Sequence, residues 1–299
     1  MRKYAIPNMR LGATSFLLHE TYVPAVRFAA ERCDDVALLL VEPGEHSEYL
    51  ATPGEIAEIG RIIAGESATL HVHLPTDADF DTWQGARSMI GKIRRVAELT
   101  GPLDPHSFVL HVDFPSLYGT GGEPSAEQQE WTAEALREIA ACLPAPERLA
   151  VENLETYAPS FWDRWLAGTP YSRCLDVGHI WKDGGDPAPV LAAWLPRVRV
   201  IHLHGLEPRG SEADAAKPQG QQRAPEKLAE RNLSRLFGPR PRDHKSLRLM
   251  PPEFVDDVMH PLWKTGFSGV LNLEVFSVED FTASHAVLMH SWERYAASS

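Results

Sequence analysis

The chain has 299 residues, of which 43% are apolar, and its 41 acidic against 29 basic side chains leave a formal charge of −12. That surplus disfavours a nucleic-acid partner, whose phosphates are gripped by clustered Lys and Arg, and no apolar run reaches the ~18 residues of a membrane span. Cys33, Cys142 and Cys174 are odd in number and far apart, and "MRKYAIPNMR" lacks the apolar stretch of a secretory leader, so reduced thiols and a cytoplasmic setting are expected.

In chain order, "RLGATSFLL", "VALLLVE", "ATLHVHLP", "SFVLHVDFP", "RLAVENLE", "RCLDVGHIW", "VRVIHLHG" and "GVLNLEVFS" are short β-branched or leucine-rich runs. Helical periodicity fills the gaps between them. "TPGEIAEIGRIIAGE" opens with Thr52 and Glu55 in capping-box spacing and Pro53 at the first helical position, then sets Ile56, Ile59, Ile62 and Ile63 on one face. Further helices are predicted in "WQGARSMIGKIRRVAEL", "AEQQEWTAEALREIAACL", "SFWDRWLAG", "APVLAAWL", "PPEFVDDVMHPLW" and "VEDFTASHAVLMHSWERYAA". Strands that alternate with helices pair in parallel, and eight such units predict one α/β domain, a (β/α)8 TIM barrel spanning 1–299. A doubly wound open sheet is the alternative, without the glycine-rich phosphate loop that usually follows its first strand.

A TIM barrel places its active site at the carboxyl ends of the strands. There the third run offers His73, the fourth His111, the fifth Glu152, the sixth Asp176 with His179, the seventh His202 with His204, and the eighth Glu274. A lone His or carboxylate at such a place is ordinarily a hydrogen-bonded core residue or a helix cap. Six consecutive strand ends with metal-capable groups predict a shared centre, because buried acids need a partner or an ion and mixed His/carboxylate sets suit Zn, Mn or Fe. Asp176 and His179 are expected on the last inward position of a strand and the turn beyond it, with Gly178 permitting a tight turn. His73 is preferred to His71, which lies one layer deeper on the same face, whereas His202 and His204 stay equivalent. Asp113 is a potential partner for the His111 N–H. Glu42 reads as a solvated rim carboxylate. His46, His106, His260, His285 and His290 read as surface or packing residues, as do Trp83, Trp131, Trp165 and Trp194; Trp181 is a prospective wall for a flat ligand.

Between the seventh and eighth runs, residues 206–242 form a long insertion with eight Lys or Arg against five Asp or Glu. "APEKLAERNLSRLF" reads as a short helix within it. A segment this long is either a lid over a site or a solvated loop. Arg223, Arg231, Arg235, Arg240 and Arg242 could meet an anionic group, and the insertion ends on Asp243, His244 and Lys245, which could close a metal site from above.

The series His73, His111, Glu152, Asp176-x-x-His179, His202, Asp243/His244 and Glu274 resembles the metal ligands of the xylose-isomerase-like barrels, in particular the apurinic/apyrimidinic endonuclease superfamily. That resemblance implies up to three divalent ions, commonly Zn. The adjacent Asp243 and His244 depart from the Asp-x-His spacing of that superfamily, which leaves His204 as a substitute ligand. Within it, "LGATSFLL", "HVHLPTD", "LAVENLE", "CLDVGHIW", "RVIHLHG", "DHKSL" and "LNLEVFS" resemble cobamide-remodelling phosphodiesterases, which cleave the nucleotide loop of a cobamide to a cobinamide phosphate and an α-riboside.

The resemblance implies a metal-dependent phosphodiesterase with one to three divalent ions, Zn or Mn, and a small-molecule cobamide substrate. Glu152 and Glu274, each with two carboxylate oxygens, would be shared ligands; His73, His111 and His202 terminal ones; Asp176 completes a second site. His179, Asp243 and His244 would hold a further ion or orient phosphate. Glu152, Glu274, Asp176 and His179 are thus the expected catalytic residues, and Arg242, Lys245, His204 and Trp181 the expected substrate contacts. Two other readings compete. A sugar isomerase or epimerase of the same barrel class would use one metal, with Glu152 and Glu274 as an acid/base pair on a hydroxy-ketone. A non-catalytic corrinoid-binding protein would still bind without Glu152.

Overall fold

The computed structural model describes residues 4–40, 50–209, 237 and 241–298. Eight parallel strands close a barrel: β1 (Arg10–Thr14), β2 (Asp35–Leu39), β3 (Thr69–His73), β4 (Phe108–His111), β5 (Leu149–Glu152), β6 (Ser172–Asp176), β7 (Val198–Leu203) and β10 (Val270–Leu273). They are ordered β1-β10-β7-β6-β5-β4-β3-β2, so each of the eight runs predicted from the sequence is a barrel stave. Around them lie α1 (Tyr22–Ala30), α2 (Pro53–Gly65), α3 (Trp83–Thr100), α4 (Ala126–Ala141), α5 (Asp163–Leu166), α6 (Val177–Lys182), α7 (Pro187–Trp194), α8 (Pro252–Thr265) and α9 (Val278–Ser298). No helix among the described residues is long and apolar enough to cross a membrane.

Local chemistry fixes the helix ends. On α2 the Thr52 side chain accepts from the Glu55 N–H, and the Thr52 N–H in turn donates to the Glu55 carboxylate at 2.7 Å, a complete capping box. Ile56, Ile59 and Ile62 are buried beneath it, and Ile63 is partly covered. Helix α4 uses the same device with Ser125 and Gln128, and α8 stops at Gly266, whose φ of 68° is a left-handed cap suited to glycine.

Period-two alternation builds the barrel interior. Val109, Ala150, Cys174, Val200 and Val270 form one fully buried inner cluster. Two residues further along the same strands come His111, Glu152, Asp176, His202 and, beyond Val270, Asn272 and then Glu274. Register brings the polar positions level, with His111 opposite Glu152 and Asp176 opposite His202. Small apolar side chains thus form the layer directly beneath these metal-capable groups.

A second, two-stranded antiparallel sheet pairs β8 (Gly205–Glu207) with β9 (Arg242–Lys245) and returns the chain over the barrel mouth. Gly205 is required there, since a Cβ would lie 2.3 Å from the Ser246 carbonyl oxygen. The predicted helix in the insertion, with Arg223, Arg231, Arg235 and Arg240, lies outside the described residues apart from Phe237, as do Glu42 and His46.

Candidate metal centre

Three overlapping groups of ligand atoms sit at the carboxyl end of the barrel. In the first, Glu152 Oε2 is 3.0 Å from His111 Nε2 and 3.3 Å from His73 Nε2. In the second, His202 Nδ1 is 3.0 Å from Glu152 Oε1, 3.1 Å from Glu274 Oε2 and 3.9 Å from Asp176 Oδ2. In the third, the ligand atoms of His179, His204 and His244 lie within 4.8 Å of one another. His204 Nε2 is 3.4 Å from Asp176 Oδ1, and His244 Nε2 is 3.5 Å from Glu274 Oε2, so the two carboxylates connect the second group to the third. Glu152 connects the first two through its separate oxygens.

The imidazoles are aimed by their backbones. Nδ1 of His73, His179 and His204 lies 3.0, 2.9 and 3.3 Å from the carbonyl oxygens of Leu74, Asn153 and Gly205. For His73 and His179 an Nδ1–H donated there turns the Nε2 lone pair toward the centre, as metal-ligating histidines are commonly oriented, whereas His204 Nδ1 accepts from the His244 N–H at 3.0 Å. Asp176 is the N-cap of α6, its Oδ1 accepting from the His179 N–H at 2.6 Å. Asp176 Oδ2 is buried without a hydrogen-bond partner, as are Nε2 of His202 and of His204. A buried carboxylate oxygen without a donor costs several kcal/mol unless a cation or proton satisfies it. With imidazole and carboxylate donors converging on it, the site fits a divalent ion of the Zn, Mn, Co or Fe kind.

Electrostatics agree. Burial opposes ionisation of Glu152 and Glu274, yet His202 with His111, and His202 with His244, hold their carboxyls well below the usual range. Burial works against charge on the histidines as well, but Asp176, Glu155 and Glu152 push His179 up to about 9, and Asp243 with Glu274 push His244 up to about 10. Despite burial, Glu152 and Glu274 raise His73, and Cys174 with Glu274 and Glu152 raises His202, above the ordinary value. Protons on the imidazoles play the part that a bound cation takes over, so metal and protons compete for the same lone pairs.

Each predicted position can be placed. His73, His111, Glu152, Asp176, His179, His202, His204, His244 and Glu274 all face this centre. His71 lies deeper, its Nδ1 2.5 Å from Asp35 Oδ1 and its ring fully buried. Asp243 is turned aside: Lys182 forms an ion pair with its Oδ2, and His244 Nδ1 is 3.3 Å from its Oδ1, so the third imidazole group is completed by His204. Arg242 lies at the rim, 3.6 Å from Glu207 and half-exposed, and Lys245 is half-buried at the far end of β9.

Several sequence expectations need correction. Trp181 is only 1% exposed and belongs to the hydrophobic core, so it packs α6 and does not wall a ligand. Asp113 does not serve His111; its oxygens accept from the hydroxyls of Tyr118 and Tyr157 at 2.5 and 2.7 Å. His179 sits in the first turn of a short helix. Gly178 is there for space, since a Cβ on it would fall 2.0 Å from His204 Cε1.

Sequence reasoning missed Asn153, Glu155 and Lys182. Asn153 brackets Asp176 from both sides, accepting from its N–H at 2.9 Å and donating to its carbonyl at 2.7 Å. Glu155 Oε2 is 3.4 Å from His179 Nε2, and Lys182 Nζ is 3.0 Å from Glu155 Oε1. The "ENLE" segment carried the signal, because a strand end followed at once by Asn and Glu keeps polar groups near the barrel mouth.

No family model and no curated protein matches the chain. Among solved structures it is similar to a D-tagatose 3-epimerase-like protein at 17% identity and TM-score 0.66, covering 97% of this chain and 99% of that one. An L-ribulose 3-epimerase matches at 13% identity and TM-score 0.64, over 97% and 98% of the two chains. A xylose isomerase domain protein from Planctomyces limnophilus matches at 12% identity and TM-score 0.61, over 99% and 100%. These neighbours overturn the expected cobamide phosphodiesterase: they are named for sugar epimerisation and isomerisation, and none of the three is named for phosphodiester hydrolysis. The chain has the xylose-isomerase-like (β/α)8 barrel fold.

Proposed function

We propose that this protein is a divalent-metal-dependent isomerase or epimerase acting on a hydroxy-ketone sugar. The observation that carries the reading is the convergence of Glu152 and Glu274 on one imidazole, 3.0 and 3.1 Å from His202 Nδ1, with Asp176 Oδ2 3.9 Å away. Those two glutamates come from β5 and from just past β10, with β6 and β7 between them, so they approach the centre from different sides. The names of the structural neighbours support the same class.

Glu152, Asp176, His202 and Glu274 would hold the ion. When bound, it supplies a Lewis acid that polarises a carbonyl and stabilises negative charge developing on oxygen. The side chains move the proton. One glutamate carboxylate takes the hydrogen from the carbon next to the carbonyl, leaving an enediolate; the other, in its acid form, returns a proton to the opposite face. Epimerisation follows if the same carbon is reprotonated, and isomerisation if the neighbouring carbon receives it. Glu152 is 1% exposed and Glu274 12%, so Glu274 is the one better placed to exchange its proton with water between turnovers. Arg242 and Lys245 would orient the sugar hydroxyls at the rim.

The test uses chelator-treated protein reloaded with Mn, Co or Zn, incubated with ketopentoses and ketohexoses in heavy water. Deuterium at the epimerised or isomerised carbon, seen by proton NMR and absent after chelation, is the expected result. Metal-loaded protein that leaves every ketose unlabelled would overturn the reading.

A further inference from the structure

A cavity of about 970 Å³ opens at the opposite end of the barrel from Glu152, His202 and Glu274. Its wall is made from the beginnings of strands: Arg10 opens β1, His106 precedes β4, Arg199 is the second residue of β7, and Phe267 precedes β10. Three residues of β7, about 10 Å of strand rise, separate Arg199 from His202. The cavity is therefore not an annex of the metal centre.

Its chemistry is uneven. Leu191, Leu195 and Phe267 supply an apolar lining. Arg10 and Arg199 share the wall with it, each side chain a permanent cation with five N–H donors. Arg10 uses one nitrogen on Thr69 Oγ1 at 3.0 Å, and Arg199 uses one on the His106 carbonyl at 2.8 Å. No ion pair joins either guanidinium to a carboxylate among the described residues, although the chain carries 41 acidic side chains. The two arginines are also fixed in place. His106 Nε2 is 3.0 Å from Asp35 Oδ2, and Asp35 accepts from Thr69 Oγ1 at 2.5 Å, so Asp35 ties the supports of both arginines together.

We propose that this cavity binds a small organic phosphate monoester, its phosphate held by Arg10 and Arg199 and its carbon skeleton against Leu191, Leu195 and Phe267. A phosphate monoester carries about −1.5 to −2 charge at neutral pH, which two guanidiniums neutralise and a monocarboxylate would match only by half. Guanidinium also pairs with phosphate through two parallel hydrogen bonds. The cavity volume lies within the ~300–1,000 Å³ typical of small-molecule sites.

Phenyl phosphate is the probe, titrated calorimetrically into the metal-loaded full chain, with benzoate and benzyl alcohol as monoanionic and neutral comparisons. Phenyl phosphate is expected to bind more tightly than either, to lose at least tenfold in affinity in Arg10→Gln and in Arg199→Gln, and to bind Glu152→Gln unchanged. Arg10→Lys and Arg199→Lys, which keep the charge without the fork, should fall between. Amide NMR of the unmutated protein provides a readout independent of variant folding: Gly266, Ser268 and Gly269 should shift on titration. Affinity unaffected by both arginine substitutions, binding lost in Glu152→Gln, shifts confined to the barrel mouth, or no binding at millimolar probe would each overturn the proposal. None of these outcomes bears on sugar turnover, so the two proposals fail separately.

Discussion

Substituting Gly178 by Ala tests the geometry of the centre directly. A Cβ built on Gly178 would lie 2.0 Å from Cε1, 2.2 Å from Nε2 and 2.3 Å from Nδ1 of His204. Optimal carbon–carbon contact is near 3.5 Å, so the ring would have to retreat by about 1.5 Å. It has nowhere to go: His204 is fully buried, and its ring stacks on His244 with centroids 4.4 Å apart. Overpacking of this kind costs ~1–3 kcal/mol, offset by up to ~1 kcal/mol from the better helix propensity of Ala. The net loss of ~1–2 kcal/mol corresponds to a fall in Tm of several degrees, at roughly 2–4 °C per kcal/mol for chains of this size. Displacing His204 also pulls its Nε2 away from Asp176 and breaks the group it forms with His179 and His244. Thermal unfolding with and without metal, combined with metal analysis of the dialysed protein, measures both effects. An Ala variant with unchanged Tm and unchanged metal content would refute the packing argument.

Replacing Glu152 by Gln keeps the shape but removes the carboxylate shared between two groups, and should lower turnover by ~10²–10⁴, the range for loss of an acid/base group; activity within threefold of the parent protein would exclude a proton-transfer role. Asn153→Ala frees the backbone on both sides of Asp176 and is expected to weaken metal binding by ~10–100-fold, measured by competition with a chromogenic chelator; an unchanged affinity would show that Asp176 needs no such support. The pH dependence has a definite sign. His179 and His244 have folded values of about 9 and about 10, above the unfolded 6.5, so in chelated protein their stabilisation is complete below pH 6.5 and is lost as pH rises through 9 to 10. Metal binding requires the neutral imidazoles and strengthens over the same interval, so the gap in Tm between loaded and chelated protein should widen with rising pH; a constant gap would contradict this. Finally, Asp35→Ala strands His71, His106 and Thr69 in the barrel interior and should destabilise by ~3–5 kcal/mol, the cost of breaking a buried pair, detectable as loss of urea resistance; a midpoint equal to that of the parent protein would show that the network is dispensable.

Much of this protein was readable in one dimension. Eight β-rich runs separated by amphipathic segments specify a barrel because parallel strands need helical crossovers, and all eight runs became staves. The strand-end placement of the metal-capable groups was equally legible, since side chains alternate along a strand and the last inward residue of each stave must face the mouth: His73, Glu152 and Asp176 follow from that rule, while His202 and His204 were left equivalent. Resemblance in short blocks did not carry the substrate, because a metal-capable strand end serves many reactions on this fold.

Only the tertiary structure decided matters that depend on contacts between distant segments. Asp243 and His244 are neighbours in the chain, yet β9 turns one to Lys182 and the other to Glu274. Trp181 follows two residues after His179 but faces the core. Asp35, His71 and His106, drawn from three separate segments, meet inside the barrel. Arg10 and Arg199, 189 positions apart in the sequence, line one cavity. Periodicity reports which face of an element a residue occupies, a local property of backbone geometry. Which partner waits on that face depends on barrel closure and loop return, and these are set by the packing of the whole chain.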